Sequence, residues 1–272
     1  MSSAMGETSP PRTAVILLAH GAPEAVADIP KYLMNIRGGR VSSAAVLKEV
    51  TQRYQKIGGS SPLRAITQAQ AEALEQFLNQ DGHGFRVYFG MRTWSPYIRD
   101  VVLQAVADGA ERLIAICLAP QYSEWSTERY WKAFLDALGE CPADTRFDYV
   151  TSWAAHPCLI DALAARYTAA VQKMEAEGVE TFDTIFTVHS IPEGPQGPQK
   201  EPYVHDYNRT VRALVDRVQP AAWHQAYQSQ GMIPVPWLTP TVEDTLDRIA
   251  EAGGAAALLI PVGFVSDHIE VL

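Results

Sequence analysis

Short apolar runs alternate with longer stretches of helical periodicity along this chain, and that alternation limits the fold more than any other feature. The runs TAVILLA (13–19), LIAICL (113–118) and AAALLI (255–260) carry no charge. Strands buried on both faces of a parallel sheet read this way. Further strands are predicted at 85–90, 147–151, 183–188 and 224–228. Between them, helices are predicted at 25–37, 43–56, 63–80, 95–107, 126–138, 158–175, 203–218 and 241–252. Ile66, Ala69, Ala73, Leu74, Phe77 and Leu78 mark one amphipathic face. Gly38 and Gly39 end the first helix, and Thr241 with Asp244 forms a capping-box start for the last. Strands alternating with helices predict an α/β protein whose parallel sheets are covered by helices. The natural division lies near residue 150. It gives a disordered tail (1–12), an N-terminal α/β domain (13–150) and a C-terminal α/β domain (151–272). No internal sequence repeat is strong enough to prove that the halves arose by duplication.

Composition removes several function classes. Lys plus Arg is 22 and Asp plus Glu is 31, a net charge of −9, which argues against a general nucleic-acid or anionic-membrane binder. An anionic ligand then needs a local cluster of basic side chains. No apolar run reaches the roughly 18 residues of a membrane span, and MSSAMGETSPPR is no signal peptide. Cys117, Cys141 and Cys158 are odd in number, widely spaced and without a CxxC. Neither a structural zinc site nor a disulfide framework is supported, and a reducing cytoplasm is the simplest setting.

Groups able to do chemistry gather where strands end. They are His20, residues 121–123, His189 with Ser190, and Asp267, His268 and Glu270. Open α/β sheets bind ligands beyond the carboxyl ends of their strands. His189 and Glu270 suit a metal-ligand or acid–base pair. The plainer alternatives are a hydrogen-bonded core histidine and an ordinary acidic residue of a helix's first turn. Arg37, Arg40, Arg53 and Lys56 precede the loop Gly58-Gly59-Ser60-Ser61, and Arg92 lies further along. Arginine forks suit carboxylates, and glycine-rich backbone lets a flat ligand approach. Solvated helix ends explain the same residues. No GxGxxG, GxxxxGK[ST] or GxSxG occurs, so nucleotide binding and serine hydrolysis gain no support.

Five motifs occur in order: YQKIGGSSPL (54–63), LAPQYS (118–123), VHSIP (188–192), YQS (227–229) with PWL (236–238), and GFVSDHIE (263–270). Together, from about residue 13 to 272, they resemble the ferrochelatases. The resemblance implies two Rossmann-like domains with a porphyrin cleft between them. It implies that His189 and Glu270 are the inner metal- and proton-handling pair, since imidazole can accept a proton or ligate a divalent ion and a carboxylate can guide a cation. The implied partners are a porphyrin and ferrous iron as substrates, with transient contact to neighbouring haem-pathway enzymes. No cofactor beyond substrate Fe2+ is implied.

The interval GGRVSSAAVLKEVTQ (38–52) is short and largely polar. It is unlike the longer apolar lip of the membrane-associated protoporphyrin type and more like the soluble coproporphyrin III type. By that likeness Arg37, Arg53, Tyr54, Ser61, Tyr130 and Trp237 contact the substrate and its carboxylates. His20 stands where that type often has an iron-ligating Tyr, so it either ligates iron or supports a neighbouring group. Iron insertion into coproporphyrin III is the leading expectation. A protoporphyrin IX ferrochelatase and a non-catalytic porphyrin binder are the alternatives. The family pattern continues for about forty residues beyond the DHIE motif, so the C-terminal part is expected to be missing. Ligands for a [2Fe–2S] cluster, which some members carry there, cannot be assessed.

Overall fold

The computed structural model describes residues 13–231 and 233–272; the expected disordered tail, residues 1–12, lies outside them. The chain's contacts group it into two units. One comprises Met1–Leu118, Arg129–Thr151 and Ser266–Leu272, the other Ala119–Glu128 and Ser152–Val265. Residues 119–128 pack with the second unit and 266–272 with the first.

The first unit holds a four-stranded parallel sheet of β1 (Thr13–Ala19), β2 (Arg86–Met91), β3 (Arg112–Cys117) and β4 (Arg146–Val150) in the order β2-β1-β3-β4. Leu17 of β1 pairs with Phe89 on one side and Ile116 on the other. This strand has neighbours on both edges and is buried from Ala14 to Ala19, as its uncharged sequence requires. Helix α3 (Leu63–Leu78) lays Ala71, Leu74 and Leu78 over Val15 and Leu17. Helix α4 (Ile98–Ala107) packs against β2. A Cβ on Gly90 would stand 2.8 Å from the Ile98 Cα, so glycine sets how closely that helix approaches. Helices α1 (Ile29–Ile36) and α2 (Ala44–Lys56) bury Ile29, Tyr32, Leu33 and Tyr54 with Trp94, and Ile269 packs on that cluster. Full burial of side chains such as Ile16, Leu18, Ile29 and Leu113 contributes about 1.5–3 kcal/mol each. Helix α5 (Thr127–Leu138) carries Tyr130 and Phe134, both buried.

The second unit is a three-stranded parallel sheet of β5 (Asp183–His189), β6 (Trp223–Gln228) and β7 (Ala257–Pro261), ordered β6-β5-β7. Helices α6 (Pro157–Ala176) and α7 (Pro202–Val218) pack on Phe186, Val188, Tyr227 and Ile260. Helix α8 (Val242–Glu251) covers Ile185 and Ala226 with Ile249. Its start has the expected capping box, Thr241 Oγ1 accepting from the Asp244 N–H and the Asp244 carboxylate accepting from the Thr241 N–H. One expectation needs correction. The last apolar run forms β7, but among the described residues β7 pairs only with β5, and Leu259 is 42% exposed. It is an edge strand, not one buried on both faces. An uncharged run alone does not separate the two cases.

Each unit is therefore a parallel sheet flanked by helices, the Rossmann-like α/β plan. No helix among the described residues is long and apolar enough to cross a membrane.

Candidate active site

In the first unit the predicted residues His20, Tyr54, Tyr130 and Glu270 come together at the carboxyl ends of β1 and β2. The chain leaves β1 through His20 and Gly21. Gly21 has φ +94°, and a Cβ there would stand 2.8 Å from the Trp94 backbone nitrogen, so no other residue fits this turn without displacement. The Thr93 N–H and hydroxyl both donate to the His20 carbonyl, at 2.9 and 2.6 Å, fixing the histidine's backbone. Its ring meets Tyr32 edge-on at 6.3 Å between centroids, and Tyr32 meets Trp94 likewise.

Three tyrosines face this turn. Tyr32, Tyr54 and Tyr130 are 7%, 1% and 6% exposed. Burial pushes the Tyr54 hydroxyl up to about 12, with Glu270's negative charge acting in the same direction. Burial first, and Glu270 among the further causes, holds Tyr32 and Tyr130 well above the ordinary phenol range. All three are neutral donors at physiological pH. Arg92 opposes the shift of Tyr130, its guanidinium carbon lying 5.7 Å from that ring's centroid. Glu270 itself is exposed. Its N–H donates to His268 Nδ1, and the 268–272 turn closes through Val271 and Leu272 onto the His268 carbonyl.

Of the other predicted contacts in this unit, Arg37 is exposed and donates to Ser42 Oγ at 3.2 Å. Arg53 pairs with Glu49 one turn back at 2.6 Å, with both side chains more than half exposed. Ser61 Oγ accepts from the Leu63 N–H as α3 begins. Arg37 thus caps α1 and Arg53 lies in the last turn of α2, both exposed.

His189 and Trp237 belong to the second unit. His189 is the last residue of β5. Its Nδ1 lies 2.5 Å from the Ser190 carbonyl oxygen. A carbonyl only accepts, so Nδ1 carries a proton, and in the neutral ring the lone pair is then on Nε2. Around this residue the backbone is pinned. The Tyr203 hydroxyl donates to the His189 carbonyl at 2.9 Å, the Ser190 N–H to the Gln228 carbonyl at 2.7 Å, and Ser190 Oγ to the Leu238 carbonyl at 2.9 Å. Trp237 pairs with Pro192 by an antiparallel bridge, and its indole N–H donates to the Ile233 carbonyl. The segment carrying Trp237 is thereby stitched to the loop that follows His189.

Sequence reasoning missed the support that α7 gives. Tyr203, Asp206, Tyr207 and Thr210 fall at helical spacing on one buried face. Asp206 accepts from the Tyr122 N–H, the Ser152 hydroxyl and Arg209, and Thr210 accepts from Gln121 while donating to the Ala154 carbonyl. One helix face therefore grips both the His189 backbone and the 121–122 loop. Polar residues at that spacing in an otherwise apolar face were the available signal. Tyr32 and Trp94 gave none, because nothing in sequence separates them from ordinary core aromatics.

Two α/β units, each a parallel sheet flanked by helices, thus carry a histidine at a strand end, His20 after β1 and His189 closing β5, with buried tyrosines beside the first. The particular class follows from comparison. The ferrochelatase family model matches residues 12–272. A ferrochelatase of Acidobacterium capsulatum is 40% identical over 277 residues, covering 96% of this chain and 82% of that one. The ferrochelatase of Deinococcus radiodurans is 37% identical over 261 residues, covering 95% and 82%. A coproporphyrin III ferrochelatase of Oceanobacillus iheyensis is 34% identical over 265 residues, covering 95% and 83%. The chain belongs to the ferrochelatase family.

Proposed function

We propose that this ferrochelatase inserts ferrous iron into coproporphyrin III during haem biosynthesis, in the cytoplasm. The single observation behind the choice of porphyrin is the segment joining α1 to α2. It is short, and Ser43 caps α2 directly through the Val46 N–H, leaving no long apolar lip. The name of the Oceanobacillus relative agrees with that choice. Other relatives are named simply ferrochelatase, which leaves protoporphyrin IX as the second reading.

Metalation exchanges two pyrrole protons for one Fe2+. His189 Nε2, which holds the lone pair in the neutral ring because Nδ1–H is engaged by the carbonyl, accepts the two pyrrole protons in turn and passes each to solvent. Glu270, an exposed carboxylate, attracts the hydrated cation and balances its charge as water leaves. His20 is assigned to the iron side of the first unit, as ligand or as support for a ligand. Tyr54 and Tyr130, neutral at working pH, offer hydroxyls to the substrate rather than charge. Arg37 and Arg53 turn from Ser42 and Glu49 toward substrate carboxylates, where a charge-assisted pair is stronger than the exposed contact given up. Ser61 and Trp237 complete the proposed contacts.

Comparing steady-state turnover of coproporphyrin III and protoporphyrin IX under one set of conditions tests the substrate. Higher kcat/KM for coproporphyrin III is expected; the reverse order assigns the chain to protoporphyrin IX.

A further inference from the structure

The arginines of the first unit are not alike. Arg53, Arg64, Arg86, Arg99 and Arg112 each hold a carboxylate of this chain. Arg92 holds none among the described residues. It sits one residue beyond β2, its backbone N–H donating to the Ala19 carbonyl at 3.0 Å. That bond places it beside His20, at the end of the strand that positions the rest of the cluster. Its guanidinium lies over the Tyr130 ring at 5.7 Å, and Nη2 comes only to 3.5 Å from His20 Nδ1. Its Nε is buried, with no hydrogen-bond partner among the described residues.

A guanidinium cannot shed its charge, and a buried N–H without an acceptor is costly. The Nε–Nη edge of an arginine is shaped for the two oxygens of a carboxylate. Tyr130 also hydrogen-bonds the guanidinium, but a neutral phenol does not balance its charge as a carboxylate would.

We propose that Arg92 is a carboxylate-binding residue of the site, taking one carboxylate of the porphyrin through its Nε and an Nη N–H. This rests on the ferrochelatase reading and extends it, because Arg37 and Arg53 lie on α1 and α2 whereas Arg92 is held at a strand end. The exposed arginines must give up existing contacts to bind substrate. Arg92 has no carboxylate of this chain to give up, so it anchors one substrate carboxylate while Arg37 and Arg53 select the others.

The test is equilibrium binding of coproporphyrin III and of its tetramethyl ester, by quenching of intrinsic fluorescence in a common detergent buffer. Wild type, Arg92→Gln and Arg92→Lys are compared. Charged hydrogen bonds are worth about 1.5–3 kcal/mol, so Arg92→Gln should raise Kd for the tetra-acid about 10- to 150-fold. Arg92→Lys, keeping charge without the fork, should fall between. The ester should bind wild type and Arg92→Gln equally. Equal Kd for the tetra-acid in wild type and Arg92→Gln overturns the assignment, as does an equal loss for acid and ester, which marks a structural role. Should wild type bind no porphyrin at all, the ferrochelatase reading falls and this proposal with it.

Discussion

The Tyr203 hydroxyl donates to the main-chain carbonyl of His189, so the first turn of α7 fixes the residue that ends β5. Tyr203→Phe removes that bond and keeps the ring. A typical hydrogen bond contributes about 0.5–1.5 kcal/mol, so kcat should fall about 2- to 10-fold with the porphyrin Kd unchanged. A rise in Kd with kcat unchanged would place Tyr203 in substrate binding instead.

Asp206 makes a different point on the same helix. Its buried carboxylate accepts from Ser152, the Tyr122 N–H and Arg209. Asp206→Ala leaves those donors unpaired, at a cost of about 1–3 kcal/mol per buried group. A clear drop in thermal midpoint is expected by calorimetry, larger than for Asp161→Ala, whose partner Arg217 is mostly exposed. Equal drops would mean the buried network carries no special weight.

Arg53→Ala separates binding from stability. The Arg53–Glu49 pair is exposed and of a kind worth about 0.3–0.5 kcal/mol, so the melting temperature should barely change. The Kd for coproporphyrin III should nevertheless rise at least about tenfold, the scale of one lost charge-assisted bond. An unchanged Kd removes Arg53 from the substrate contacts.

Alkaline titration reports on the tyrosine cluster. Tyr54 and Tyr227 are raised to about 12, and Tyr32, Tyr130 and Tyr207 are also raised, all chiefly by burial. Unfolded tyrosines ionise near 10. Below that pH both states are protonated and these groups add no pH dependence. Between 10 and 12 the unfolded chain releases protons that the folded chain retains, so stability falls as pH rises. Urea midpoints should therefore hold level up to about pH 9.5 and then decline. A midpoint that stays flat through pH 11.5 contradicts the burial of these hydroxyls.

Much of the fold was legible in sequence because both of its periods are strong. The uncharged run 13–19 could be little but a central strand, and Thr241 with Asp244 announced the cap of α8. The run 255–260 misled, because an edge strand of a small sheet need not carry charge. Position of the last segment was illegible for another reason. Residues 266–272 follow the second unit in sequence, yet Ile269 packs on Tyr32 and Trp94 of the first, a long-range contact that periodicity does not encode. Among chemical groups, His20 and His189 stood out because they end strands, and Glu270 because it closes a short motif beyond one. Arg92 stood out only as one of several basic groups and Tyr203 not at all, since their meaning lies in one buried Nε and one carbonyl that only coordinates reveal.

The central claim is that His189 carries the proton step of metalation and is not merely a binding residue. Single-turnover metalation, with enzyme in excess over coproporphyrin III and the Soret band followed after adding Fe2+, tests it most directly. Wild type should metalate within the stopped-flow window. His189→Ala should bind porphyrin within about threefold of wild type yet metalate at least about 100-fold more slowly, in the range general-base catalysis supplies. Equal, slow metalation by both proteins while both bind porphyrin would contradict the claim and leave a porphyrin binder in place of an enzyme.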